Sequence, residues 1–359
     1  MQVRTTNPDR FSFASTIDGY SRQPLRAVPS KVHTAAVEMA DVHSPFLRMS
    51  VFHQGAGRGV VGDDGLRDRH VEPPRLPLPQ HVIRSRRDTL LLVSEDRVRV
   101  RIADNGVATA TMVRADKHNA LDQAMFEGLV DAAEQLAGDT SVRAVVLHGE
   151  GKSFCSGLDV ASFMGGERGT GVLLTRDEDR PANLAQRVTY DWSLVPAPVI
   201  AAIHGNCFGG GLQIALGADI RIAAPDAKLS IMEIKWGLVP DMGITQTLPR
   251  LLPIDVAKEL TFTGRIVSGS EGSELGLITR TAADPLSAAL ALAGEIALKS
   301  PDAIRAAKRL YNETWISNDP AAALARESAL QTGLIGTPNQ IAAVVAGMSG
   351  ERPVFANPA

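Results

Sequence analysis

Residues 192–218 contain no Asp, Glu, Lys or Arg, and this stretch constrains the fold more than any other part of the chain. A charge-free run of this length suggests a spanning helix, since about 20 apolar residues cross a bilayer core. Pro196, Pro198, His204, Asn206 and the run Gly209-Gly210-Gly211 interrupt it, however. Proline removes a backbone donor and clustered glycines favour turns. The run therefore reads as strand, tight turn and helix at the buried centre of a globular fold, not as a membrane segment.

The flanking sequence supports a mixed α/β core. Residues 97–102 alternate Arg-Val-Arg-Val-Arg-Ile, the period of a half-buried strand. Asn105-Gly106 is a hairpin signal, and a second strand is expected over 107–113. Asp122 opens a helix whose apolar face carries Met125, Leu129, Ala132 and Leu136. Further strands are expected at 144–147, 198–203 and 220–223, with helices or loops between them. From Pro253 onward the pattern is helical, at 255–263, 285–298, 301–312, 320–334 and 338–348. The last four begin on a proline, which is favoured in the first turn of a helix.

The first 92 residues differ in kind. They hold eight of the 21 prolines and five of the eight histidines and show no sustained periodicity. Residues 73–79, Pro-Pro-Arg-Leu-Pro-Leu-Pro, resemble a polyproline-like linker. The expected organisation is a poorly ordered extension over 1–92, a core over 93–284 and a helical region over 285–359. Asp63, Asp64, Asp68 and Glu72 argue against a transit peptide, and the start MQVRTTNPDRFSF lacks an apolar signal core. A cytoplasmic location is expected.

Charge and cysteine usage exclude several function classes. With 37 basic and 40 acidic side chains the net charge is −3, which disfavours nucleic acid or an anionic membrane as partner. Aromatics at 4% are too scarce for a base-stacking platform. Cys155 and Cys207 are too few for a disulfide framework or a four-ligand zinc site. Neither has a local His–Asp arrangement, so both read as small packing residues. His118, His148 and His204 lack metal-ligand spacing, and no metal is expected.

Two strand–turn–helix loops carry the chemistry. One is Gly151-Lys-Ser-Phe-Cys-Ser-Gly-Leu-Asp159, and the other is His204-Gly-Asn-Cys-Phe-Gly-Gly-Gly-Leu-Gln213. Glycines let backbone N–H groups approach a ligand, and the following helix N-terminus adds positive potential. Two such N–H groups meeting at one oxygen would form an oxyanion hole. Before the first loop stands Arg114-Ala-Asp-Lys-His-Asn-Ala-Leu121, and after the second stands Met232-Glu-Ile-Lys-Trp-Gly-Leu-Val-Pro-Asp-Met-Gly243.

The ordered motifs NAL, SFCSGLD, HGNCFGGG and MEIKWGLVP resemble the crotonase superfamily, the enoyl-CoA hydratase/isomerase family. The resemblance runs from about Asp96 to Met348 and leaves the first 92 residues unmatched. It implies an α/β core of repeated ββα units, a C-terminal helical region that builds trimers or dimers of trimers, and a CoA thioester substrate. No cofactor is implied, because CoA is part of the substrate. Carried over position by position, the resemblance gives Ser156 and Gly210 as the oxyanion N–H donors. It gives Lys117, Ala120, Leu121, Gly157, Leu158, Asp159, Gly209, Gln213, Met232 and Trp236 as substrate-binding positions. Phe163, Met232, Trp236 and Leu238 are expected to wall an apolar pocket that raises carboxyl pKa values.

The acids select the reaction. Hydratases of the family place two glutamates around a water. Here the first is Glu233, but the second position holds Gln213, which can orient water yet cannot exchange a proton at neutral pH. Asp241, eight residues after Glu233, is similar in placement to the aspartate of the family's dienoyl-CoA isomerases. It also fits the N-cap of a helix expected over 242–248. The preferred expectation is double-bond isomerisation by Glu233 and Asp241. Hydration by Glu233 with Gln213 is the alternative, and a non-catalytic acyl-CoA binder is a third possibility.

Overall fold

The computed structural model describes residues 89–91, 97–164, 171–176 and 179–358. The expected extension lies outside the described residues except for one strand, β1 (Thr89–Leu91). It pairs antiparallel with β2 (Val98–Ile102), so the main sheet begins before the compositional break near residue 93. β2 returns through a turn with Gly106 at φ 79° into β3 (Val107–Met112), as Asn105-Gly106 predicts.

Asp122 caps α1 (Gln123–Gly138) by accepting a hydrogen bond from the Met125 N–H. The expected face of Met125, Leu129, Ala132 and Leu136 is buried. The chain then runs through β4 (Ala144–Gly149), α2 (Val160–Met164), α3 (Gly171–Leu174), α4 (Leu184–Leu194), β5 (Val199–Ile203), β6 (Asn206–Phe208), α5 (Gly210–Leu216), β7 (Ile220–Ala223) and β8 (Lys228–Ser230). A 3-10 turn at Glu233–Trp236 precedes α6 (Ile244–Thr247), α7 (Ile254–Thr263), β9 (Val267–Ser268), α8 (Gly269–Leu275) and β10 (Arg280–Thr281). The helical end comprises α9 (Pro285–Ala297), α10 (Pro301–Thr314), α11 (Pro320–Leu334) and α12 (Pro338–Ser349). Each of these four carries its proline in the first turn, behind a side-chain cap from Asp284, Ser300, Asp319 or Thr337.

The main sheet has the order β1-β2-β3-β4-β5-β7-β10, antiparallel through β3 and parallel beyond it. A second sheet, β6-β8-β9, stands beside it. Both faces of the main sheet are covered. Val145, Leu147, Val199, Ala201 and Ile203 join the large core with α1, Val188 and Trp192. Ala144, Val146, Ile200, Ala202 and Ile222 pack against Ala289 and Ala293 of α9. Burial of β5 on both faces and of every residue of α5 explains why most of 192–218 lacks charge. No helix among the described residues is long and apolar enough to cross a membrane.

Candidate active site

The C-terminal ends of the neighbouring parallel strands β4 and β5 each open into one glycine loop. Backbone bonds lace the two together: Phe154 N–H donates to His204 O, Cys155 N–H to Asn206 O, and Phe208 N–H to Cys155 O. Gly205 permits this approach. Its φ is 56°, and a Cβ there would lie 1.9 Å from Lys152 O. The two thiols sit side by side in this seam, and burial pushes Cys155 up to about 12, so neither reads as a nucleophile.

Asn119 ties the preceding segment to the same seam. It is fully buried in a left-handed conformation, φ 54°. Its Oδ1 accepts the Arg114 N–H, and its Nδ2 donates to Glu150 O and Ser153 O. With His118 also left-handed at φ 52°, the His118 carbonyl turns toward Ser156 and accepts its N–H at 3.0 Å. This corrects the expected donor: the Ser156 N–H is already consumed within the protein.

Two residues on, the Leu158 N–H makes no hydrogen bond within the described residues. Its neighbours are fixed by Leu121, whose N–H donates to Gly157 O and whose carbonyl accepts the Asp159 N–H. Gly157 lies against the second loop, where a Cβ would come 2.8 Å from Phe208 O and 3.8 Å from the Gly210 nitrogen. Gly210 opens α5, so its N–H has no intrahelical partner and makes no other hydrogen bond within the described residues. Leu121 Cδ1 and Met242 Sδ pack against the Gly210 Cα, at 2.8 and 2.7 Å from where a Cβ would be.

Glu233 stands at the head of the 3-10 turn, beside Gly209. Its Oε1 would be 3.2 Å from a Gly209 Cβ and accepts a 2.7 Å hydrogen bond from Gln213 Nε2. Its Oε2 is buried and has no partner within the described residues. Burial raises the carboxyl above the usual range, and the Asp241 charge adds to that, against donors that include Gln213 and the backbone. Glu233 is therefore not the exposed carboxylate that a strand end would present.

Gln213 is fully buried and committed at both ends, since its Oε1 accepts the Met242 N–H at 2.9 Å. Asp241 is exposed at the residue level, yet partial burial of its carboxyl raises it above the usual range. It caps no helix. The expected helix over 242–248 is replaced by α6, which starts at Ile244 behind a left-handed Gly243 with no side-chain cap.

The remaining expected positions differ in burial and pairing. Trp236 and Leu238 are 57% and 55% exposed, on either side of the left-handed Gly237 that ends the 3-10 turn. Both are more than half exposed, unlike the buried apolar wall expected there. Met232 is half-buried beside Glu233, and the Phe163 side chain lies outside the described residues. Lys117 is exposed and Ala120 is buried, its carbonyl accepting from Arg114. Asp159 is paired with Arg114 at 2.8 Å. Burial alone would raise its carboxyl, but bonds from Ser162 and Arg114 hold it below the usual range.

The roles of the Leu158 N–H, the Met242 N–H and the Asn119 side chain were not legible in the sequence, although Leu158 and Asn119 lie inside the SFCSGLD and NAL motifs. A cavity of about 450 Å³ under α10 does not belong to this site, as its walls include none of Glu233, Gln213, Gly210 or Leu158. Its Lys308 is spent on Asp219 at 2.7 Å and on two carbonyls. No cluster of three or more potential metal ligands occurs among the described residues.

Two unspent N–H groups on adjacent turns beside a buried carboxylate define a site suited to chemistry next to a carbonyl. Residues 103–346 match the family model described as enoyl-CoA hydratase/isomerase. The mouse mitochondrial Delta(3,5)-Delta(2,4)-dienoyl-CoA isomerase is 34% identical over 227 residues, 59% of this chain and 68% of the relative. The mouse mitochondrial methylglutaconyl-CoA hydratase is 33% identical over 266 residues, 70% of this chain and 81% of the relative. The crystal structure of an enoyl-CoA hydratase from Bacillus anthracis superposes with a TM-score of 0.64 at 30% identity, covering 73% of this chain and all of that one. The chain belongs to the enoyl-CoA hydratase/isomerase family and has the α/β crotonase fold with C-terminal helices. It is a crotonase-family enzyme, and membership implies an acyl-CoA substrate.

Proposed function

We propose that this enzyme moves double bonds along unsaturated acyl-CoA thioesters in acyl-chain catabolism, with dienoyl thioesters as the preferred substrates. One carboxylate of the Glu233–Asp241 pair removes a proton from carbon. The C–H electrons pass through the conjugated system to the thioester oxygen, forming a dienolate. The N–H groups of Leu158 and Gly210 hold that oxygen, and the other acid returns a proton farther along the chain. A donor of this kind is worth about 3–4 kcal/mol in the transition state, because it meets charge that the ground-state carbonyl lacks.

The observation carrying this reading is the buried, unpartnered Oε2 of Glu233 with a second raised carboxyl, Asp241, released from any capping duty. The family's hydratases place two glutamates around one water. Gln213 supplies no second acid, and its amide is already bonded at both ends.

A panel of 2-enoyl, 3-enoyl and 3,5-dienoyl thioesters, assayed with wild type and Asp241→Asn, tests this. Turnover of the diene should fall by about 10²-fold or more in the variant. Robust hydration of the 2-enoyl ester, indifferent to Asp241, would favour the hydratase reading.

We extend the proposal to a self-assembling, cytoplasmic enzyme. The helical end exposes Trp315, Ile316, Leu324, Ile335, Ile341, Val344, Val345 and Met348, an apolar surface that suits burial between copies. Light scattering on the purified protein should give the mass of three or six chains. A monomer at micromolar concentration would refute self-assembly.

A further inference from the structure

Gln213 occupies a position at which its amide cannot turn over. The Met242 N–H points at one end of it, and only a carbonyl oxygen accepts there. The NH₂ end must therefore face Glu233 and donate to Oε1. A residue on α5 is thus held by the backbone of a loop 29 positions later, and it holds in turn one oxygen of a carboxylate 20 positions away. The other oxygen, Oε2, is buried without a partner. A carboxylate so divided has one anchored oxygen and one whose lone pairs are unspent.

We propose that Gln213 is a positioning residue that divides the labour of Glu233, anchoring Oε1 so that Oε2 alone transfers the proton. The inference rests on the reading of Glu233 as a proton-transfer group. It goes further by naming the transferring atom, and by giving the glutamine a role that replaces a second acid.

The anchor also sets the charge of the base. Burial and the nearby Asp241 favour the protonated form of Glu233, whereas donation from Gln213 and from the backbone N–H groups of Glu233 and Met232 favours the ionised form. Lys235, on the same turn, lies 5.5 Å above the Trp236 ring. A base must be ionised to accept a proton, so the amide favours the form of Glu233 that can take one.

The test compares wild type with Gln213→Met and Gln213→Glu. Methionine keeps the volume and removes the donor. Glutamate keeps the shape and the bond from Met242 but places a second carboxyl 2.7 Å from Oε1. Infrared titration of the protonated carboxyl band, assigned by its loss in Glu233→Gln, reads the base directly without substrate.

In Gln213→Met the band should persist to a pH about one unit higher. In Gln213→Glu the pair should titrate in two coupled steps, the upper one higher still. The acidic limb of kcat/KM for the dienoyl thioester should move in parallel, with KM changed less than about threefold. A purely structural role would lower Tm and leave the midpoint in place.

Identical midpoints in all three proteins would overturn the proposal. The underlying reading fails separately. Full turnover by Glu233→Gln removes the base itself, whereas an inactive Glu233→Gln together with unmoved midpoints removes only the role of Gln213.

Discussion

Glu233→Gln should lower kcat on the preferred thioester by roughly 10²–10⁴-fold, with CoA-ester affinity kept within a few-fold. The amide retains the size of the carboxylate and still presents an oxygen to Gln213, so the pocket keeps its shape while losing the atom that takes the proton. The fold should not suffer. Glu233 is a carboxyl raised by burial, so its charged form is disfavoured in the folded state. That penalty is absent when the group is protonated in both folded and unfolded chains, and it grows as pH rises above the unfolded value of about 4.3. The variant should therefore melt at or above the wild-type temperature at pH 7, and any gain should shrink toward pH 4. Thermal melts at the two pH values, beside steady-state assays, check both halves. Unchanged turnover would remove Glu233 from the chemistry, whatever the melts show.

Gly205→Ala should be the most damaging single change to the fold near the site. The residue sits at φ 56°, where a side chain is already disfavoured, and the added Cβ would lie 1.9 Å from Lys152 O and 3.1 Å from Ser153 Cα. Backbone cannot rotate aside as a side-chain tip does, so the two glycine loops would have to part. The expected cost is about 3–5 kcal/mol, in the range of severe overpacking and backbone strain. The parting would also carry the Leu158 turn away from Gly210, so protein that still folds should lose activity as well. Tm and kcat/KM should fall together. A stable, fully active Gly205→Ala would show that the close contact between the loops is not needed.

Much of the fold was legible in the sequence, for local reasons. The 3.6-residue spacing of Met125, Leu129, Ala132 and Leu136 identifies the buried face of α1, and Asp122 marks its start. First-turn prolines at 285, 301, 320 and 338 place the last four helices to within two residues. Asn105-Gly106 gives the hairpin. The helix expected over 242–248 starts only at Ile244, behind a left-handed Gly243, and gives way to a 3-10 turn at Leu248. The strand Thr89–Leu91 was hidden in an unpatterned stretch, since three residues are too few to show a period.

At the site, residue chemistry was legible but the placement of hydrogen bonds was not. The sequence by itself determined the order of the glycine turns, the presence of Glu233 and Asp241, and the amide at Gln213. Those follow from side-chain identity and from backbone freedom within a few neighbours. Only the tertiary structure decided that the Ser156 N–H is spent on His118, leaving that of Leu158 unspent. It likewise decided that Met242 orients Gln213 and that Trp236 turns outward. Each of those outcomes depends on where a carbonyl or N–H from a distant segment comes to rest, and such positions are fixed by the packing of the whole core.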